Sequence, residues 1–235
     1  MHTPLLQHRH FNRLVLSVLA AGFLSHFASC KALAQASTAS ANKAVPTVLV
    51  LGDSLSAEYG LTRGTGWVQA MRTQADKEGL KLNLINASIS GDTTSGGVTR
   101  LPALLKLHEP KIVIIELGGN DALRGLSLSL TQQNLLSLVQ ASQHKGSQAL
   151  LIAMQVPPNY GASYRQRMGA VYLQVSQQTG ATLNDTFLKG IADDADPLKW
   201  FQADRIHPNE GAQSTMMKNV WPQLKKMLGR AAPAP

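Results

Sequence analysis

Four short runs of branched apolar residues constrain the fold of this chain more than any other feature: residues 47–51 (TVLVL), 82–87 (LNLINA), 112–117 (IVIIEL) and 149–154 (ALLIAM). Each is nearly unbroken by polar residues, as strands covered on both faces must be. A weaker fifth candidate lies at 181–183. Between the runs, residues 67–77, 98–107, 129–144, 164–178 and 211–228 space their apolar side chains at helical intervals. Strand and helix thus alternate about five times. This predicts an α/β fold built on an open, mainly parallel sheet of about five strands with helices on both faces. In such sheets ligands bind at the carboxyl ends of the strands, so chemistry-bearing residues are expected just after the apolar runs.

The amount of apolar material supports a real core. Of 235 residues, 44% are hydrophobic and 15% charged, which excludes disorder over most of the chain and allows one sizeable domain. No internal repeat or long linker divides it, and the domain is expected over residues 46–228. The net charge of +8 does not indicate a nucleic-acid partner. Arg9, Arg13 and Lys31 stand in the first 34 residues without an acidic residue. The remaining basic residues are scattered, with only Lys225 and Lys226 adjacent.

Residues 1–34 read as a secretory signal peptide: basic Arg9 and Arg13, an apolar run over 14–24, then small residues ending in Ala32-Leu33-Ala34. The run is too short to span a bilayer, which needs about 20 apolar residues. Cleavage after Ala34 and a periplasmic or secreted protein are therefore expected. The alternative is lipoprotein processing at Cys30, but Phe27 fits poorly in front of such a site. Cys30 is the sole cysteine, so no intramolecular disulfide or cysteine zinc site is available. The Ala/Ser/Thr-rich segment 35–45 and the tail 229–235 are expected to be mobile.

Four motifs follow the apolar runs or lie near the end of the chain. Gly52-Asp53-Ser54 follows the first run; a serine there enters the crevice with a backbone N–H nearby for an anion, although the same residues make ordinary turns and caps. The second serine of the stretch, Ser56, stands where an α/β-hydrolase elbow requires glycine, which disfavours that fold. Gly91, after the second run, can present its N–H to a ligand or simply make a turn. Gly118-Gly119-Asn120-Asp121, after the third run, turns sharply and offers the Asn120 amide. Asp204 precedes His207 by three residues; Pro208 disfavours helix at His207, and Asn209 can cap the last helix. At that spacing the carboxylate can hold one ring nitrogen and leave the other free as a base.

Together these residues make one catalytic proposal. Ser54 is the nucleophile, His207 its base and later the acid, and Asp204 fixes the imidazole tautomer. The N–H groups of Ser54 and Gly91 and the Asn120 amide would hold the oxyanion. A metal would need further His or carboxylate ligands at suitable spacing; His108 and His144 fall at helix ends, where solvated or capping roles are the default, and no metal is expected. Leu123, Leu126, Val156, Pro157 and Tyr160 are candidates for an apolar wall along an acyl chain, or else loop packing.

The longer stretches GDSLSAEYGL (52–61), ASISGDTTSGG (87–97), ELGGNDALRG (116–125), PPNYG (157–161) and HPN (207–209) resemble the blocks of the SGNH (GDSL-type) hydrolases. Within that family they look like the periplasmic acyl-CoA thioesterase I, lysophospholipase and arylesterase group, over nearly the whole domain. The resemblance implies a flavodoxin-like three-layer α/β/α sandwich and a serine hydrolase of esters and thioesters with no cofactor and broad acyl specificity. It also implies Ser54, Asp204 and His207 as triad, with Gly91 and Asn120 completing the oxyanion hole. Two residues depart from the expected pattern: Glu58 replaces a small residue and Arg205 a glycine. Export favours a lysophospholipid or another envelope ester over cytosolic acyl-CoA, and a monomer is expected. The competing readings are a carbohydrate O-deacetylase of the same fold and a non-catalytic lipid-binding module.

Overall fold

The computed structural model describes residues 45–229. The expected leader over 1–34, with Cys30 and the Ala34 cut, lies outside the described residues, as do 35–44 and 230–235. Five strands form one sheet: β1 (Thr47–Gly52), β2 (Asn83–Asn86), β3 (Ile112–Glu116), β4 (Gln148–Ile152) and β5 (Thr182–Asn184). Their order is β2-β1-β3-β4-β5, and every pairing is parallel. β1 and β3 are central and almost wholly buried, which is why their sequences carry branched residues on both faces.

Helices cover both faces. α1 (Trp67–Lys77) packs against α6 (Glu210–Leu228) on one side. On the other, α4 (Leu128–His144) lies between α2 (Thr94–His108) and α5 (Ala162–Thr179). α6 shows the pattern responsible: Ala212, Met216, Val220 and Leu224 recur every fourth residue and all are buried. From β1 the chain moves outward to β2, then crosses back to β3 on the far side of β1. The reversal opens a crevice at the carboxyl ends of β1 and β3.

The structure departs from the sequence expectation in two places. α2 begins at Thr94 rather than near residue 98, capped by Thr93, whose side chain accepts the Gly96 N–H. The Gly96-Gly97 pair argues against helix locally, but packing overrides it. A Cβ on Gly97 would stand 2.5 Å from Leu117 Cδ1, so the glycine is the price of close helix–sheet contact. The second departure is α3 (Gly119–Leu123), a short helix in the stretch that reads as a sharp turn.

α3 starts from Gly118, whose φ of 116° belongs to glycine. A Cβ there would overlap the Tyr172 hydroxyl, which donates to the Leu117 carbonyl at 2.8 Å. Replacing Gly118 with Ala should therefore destabilise the fold by about 2 kcal/mol or more, from backbone strain and overpacking together. Urea unfolding measures this; a midpoint equal to wild type would show that the turn relaxes freely.

Candidate active site

The turn after β1 is wound tightly around one buried carboxyl. Asp53 N–H donates to Glu116 Oε2 at 3.3 Å, and Ser56 Oγ donates to the same oxygen at 2.5 Å. Gly52 pairs with Glu116 in the β1–β3 register, and a Cβ on it would meet Glu116 Oε2 at 2.7 Å and Ser56 Oγ at 2.8 Å. Only glycine fits between strand and carboxyl. The Asp53 carbonyl then accepts from Ser56 N and Ala57 N, which bends the chain so that Ser54 comes out at the crevice, largely buried.

The partner arrives from the other end of the chain. Asp204 Oδ1 accepts the N–H groups of Ile206 (2.9 Å) and His207 (3.0 Å), and Oδ2 meets His207 Nδ1 at 2.6 Å. Partial burial alone would raise the Asp204 carboxyl; those N–H groups and the imidazole outweigh it and hold it below its usual value. An ionised Asp204 fixes the proton on Nδ1 and turns the lone pair of Nε2 outward. Nε2 lies 2.9 Å from Ser54 Oγ. The Tyr59 ring leans on the imidazole, with centroids 4.5 Å apart. Pro208 and Asn209 behave as the sequence suggests: Asn209 caps α6 by accepting the Gly211 N–H.

The two remaining loops are braced from outside. Arg100 donates to Asp92 Oδ2 through Nε (2.9 Å) and Nη2 (2.6 Å) and to the Ala87 carbonyl through Nη1. Arg124 Nη2 donates to the Gly91 carbonyl at 2.7 Å. These contacts fix the 87–93 loop at both ends. Asn120 Nδ2 donates to Asp53 Oδ2 at 3.0 Å, which orients its amide from the turn that carries Ser54. Among the described residues the N–H groups of Ser54 and Gly91 find no acceptor. Free backbone donors beside a nucleophile are what a developing oxyanion requires.

Asp53 and Glu116 form a buried pair of carboxyls beneath the crevice. Burial pushes Asp53 up to about 6, against the Leu55 N–H and the Asn120 amide, which favour its charge. Glu116 is driven well above its usual range, first by complete burial and then by the neighbouring Asp53 charge. Of the pair, Asp53 is thus the group that ionises first and Glu116 the one that keeps its proton. This accounts for Glu116 Oε1, which accepts no hydrogen bond. In the sequence the signal for Glu116 was available: it is the one ionisable residue in the apolar run 112–117. Asp121, within the same motif as Asn120, serves the scaffold, accepting from Thr94 N at 2.9 Å, from the Thr94 hydroxyl and from Thr131.

Of the residues expected to line an acyl wall, Val156 belongs to the packed core and Tyr160 leans against it. Leu126 and Pro157 are half-buried, and Leu123 stands exposed on α3. Glu58 and Arg205, the two departures noted in the sequence, both adopt left-handed backbone, with φ of 61° and 59°. A glycine would hold either position without strain. Glu58 compensates through its carboxylate, which accepts the Gly64 and Gly66 N–H groups at 2.8 Å each.

With this geometry in hand, comparison with known proteins is specific. Residues 50–213 match the model of the GDSL-like Lipase/Acylhydrolase family. The chain is 45% identical over 185 residues to Esterase TesA of Pseudomonas aeruginosa, covering 79% of this chain and 90% of that protein. It is 38% identical over 187 residues to the Thioesterase 1/protease 1/lysophospholipase L1 of Escherichia coli, covering 79% and 86%. The crystal structure of the psychrotrophic esterase EstA from Pseudoalteromonas, inhibited by monoethylphosphonate, superposes with a TM-score of 0.72 at 41% identity, covering 78% of this chain and 99% of that one.

The carboxyl pair makes stability depend on pH. Both groups have folded values above their unfolded ones, so the native state binds more protons, and stability falls as pH rises from about 4 through about 6 and beyond. Glu116→Gln removes one of these protons from the balance while keeping an acceptor for Ser56. Its melting temperature should gain on wild type as pH rises from 5 to 8, on the order of 2–4 °C, the response of a domain this size to about 1 kcal/mol. A difference that is flat or shrinks with pH would contradict a neutral Glu116.

Proposed function

The chain belongs to the GDSL-like lipase/acylhydrolase family and is an ester hydrolase; from that premise we propose that it is an exported serine hydrolase of acyl esters and thioesters, acting through Ser54, His207 and Asp204 and an acyl-enzyme intermediate. The observation that carries this reading is the 2.9 Å approach of His207 Nε2 to Ser54 Oγ, with Asp204 on the opposite ring nitrogen.

The chemistry follows from that arrangement. Ser54 Oγ adds to the acyl carbonyl carbon as its proton passes to His207 Nε2, and Asp204 stabilises the imidazolium. The carbonyl oxygen, now negative, is received by the N–H groups of Ser54 and Gly91 and by the Asn120 amide, which Asp53 has already turned into place. His207 returns the proton to the departing alcohol or thiol, leaving Ser54 acylated. Water then adds by the same path with His207 as base, and the acid leaves as Oγ regains its proton. No step calls on a metal or cofactor. The signal-like residues 1–34 support a periplasmic or secreted location, where lysophospholipids and other envelope esters are the available substrates.

Four measurements test the reading. Ser54→Ala should lower turnover of aryl esters by about 10⁶-fold, and Asn120→Ala by about 10²- to 10³-fold. Wild-type activity in Ser54→Ala would end the assignment. An alkylphosphonate should add one mass increment to the peptide bearing Ser54 and none to Ser54→Ala. Rates should be unaffected by EDTA; loss restored by a divalent ion would call for a different mechanism. Intact mass of the exported protein checks the cut after Ala34.

A further inference from the structure

A second cavity opens beside the nucleophile turn, between that turn, α1 and the end of β2. Its volume is about 490 Å3, within the roughly 300–1,000 Å3 of small-molecule sites. Ala57, Glu58, Arg63, Arg72, Asn86 and Ser88 are among the residues that line it. Ala57 follows Ser54 by three residues, and Ser88 precedes Gly91 by three. The cavity therefore shares a wall with both loops that supply the reacting groups, while none of the triad lines it.

Its chemistry is that of an anion site. Neither Arg63 nor Arg72 forms an ion pair among the described residues. Arg72 is anchored at one corner, Nη2 donating to the Leu84 carbonyl at 2.6 Å, which leaves its other N–H groups for a ligand. The carboxylate in the lining, Glu58, has both oxygens engaged by the Gly64 and Gly66 N–H groups, so it neither pairs with the arginines nor needs a cation. Ser88 contributes to the wall, but its Oγ is buried and offers the cavity no donor. Asn86 is spent locally, donating to the Ser56 carbonyl at 2.7 Å and accepting the Ser88 N–H. Two guanidinium groups present several N–H donors to the cavity. That set suits the three terminal oxygens of a phosphate better than the two of a carboxylate.

We propose that this cavity binds a phosphate group, held by Arg63 and Arg72, and that during turnover it receives the phosphate on the alcohol half of the ester. The proposal rests on the esterase reading above and narrows it: the favoured substrates are monoacyl esters of a phosphorylated alcohol, with the acyl chain directed away from the cavity. Glu58 then has a place in the design. Its left-handed backbone and its two N–H contacts shape the 58–66 loop that carries Arg63 to the cavity.

The test compares monohexanoyl glycerol phosphate with monohexanoyl glycerol, soluble esters that differ only in the phosphate. Wild type should favour the phosphorylated ester in kcat/KM, mainly through a lower KM, and inorganic phosphate should raise that KM. In Arg63→Gln the ratio between the two esters should fall about tenfold, the usual consequence of losing a hydrogen bond to a charged group, and Arg63→Lys should recover part of it. Arg63 makes no hydrogen bond among the described residues, so its replacement does not threaten the fold; Arg72→Gln serves as the second variant. Calorimetry with inorganic phosphate on Ser54→Ala reads the cavity without catalysis. Binding lost in Arg63→Gln without any preference between esters would identify free phosphate as the occupant. Equal kcat/KM for the two esters together with no phosphate binding overturns the proposal. Failure to hydrolyse either ester, with phosphate still bound, would instead refute the esterase reading and leave the cavity's assignment standing.

Discussion

The hydrogen bonds that converge on Glu116 hold the active-site end of the sheet together. A single oxygen of that side chain receives the Asp53 N–H and the Ser56 hydroxyl, and so decides how the chain leaves β1. The direction of Ser54 depends on that exit, and so does the position of Asp53, which in turn orients Asn120. A carboxyl in so dry a place is stable only as a neutral acid or with a close partner. Here it has partners on one oxygen, and burial together with the nearby Asp53 charge keeps its proton in place. The same buried group thus sets the shape of the turn and makes the protein sensitive to alkali.

Most of the architecture could be read from the chain because parallel sheets leave an unusually plain imprint. Strands buried on both faces tolerate little but branched apolar residues, and the runs at 47–51 and 112–117 mark β1 and β3 to within a residue. The edge strand β5 is only three residues long and correspondingly faint. The meeting of Ser54, His207 and Asp204 was also legible, since Ser54 follows a strand and the Asp204–His207 spacing restricts what the pair can do. What escaped reading depends on tertiary contact. Gly96 and Gly97 look like loop until Asp92 is seen against the first and Leu117 against the second, and α3 is too short for periodicity to register. Glu116 and Asp53 gain their properties from each other across sixty-three residues of sequence, which no local pattern records.

Preorganisation is distributed over elements that do no chemistry. Arg100 on α2 and Arg124 just past α3 grip the 87–93 loop, Asp121 ties α3 to the starts of α2 and α4, and Tyr59 backs the imidazole. Each of these contacts limits how far a donor can drift, and catalysis by fixed dipoles depends on that restriction. The left-handed Arg205 belongs with them, because the tight Asp204–His207 turn needs a backbone that most residues resist.

The bond between His207 and Ser54 closes a loop of 153 residues. During synthesis the serine turn leaves the ribosome early, and at about 5–20 residues per second several seconds pass before its partner follows. Until then the serine stands without the imidazole that the finished fold sets beside it. The arrangement is completed in one step, when the segment before α6 docks, so the order of synthesis itself decides when Ser54 gains its partner.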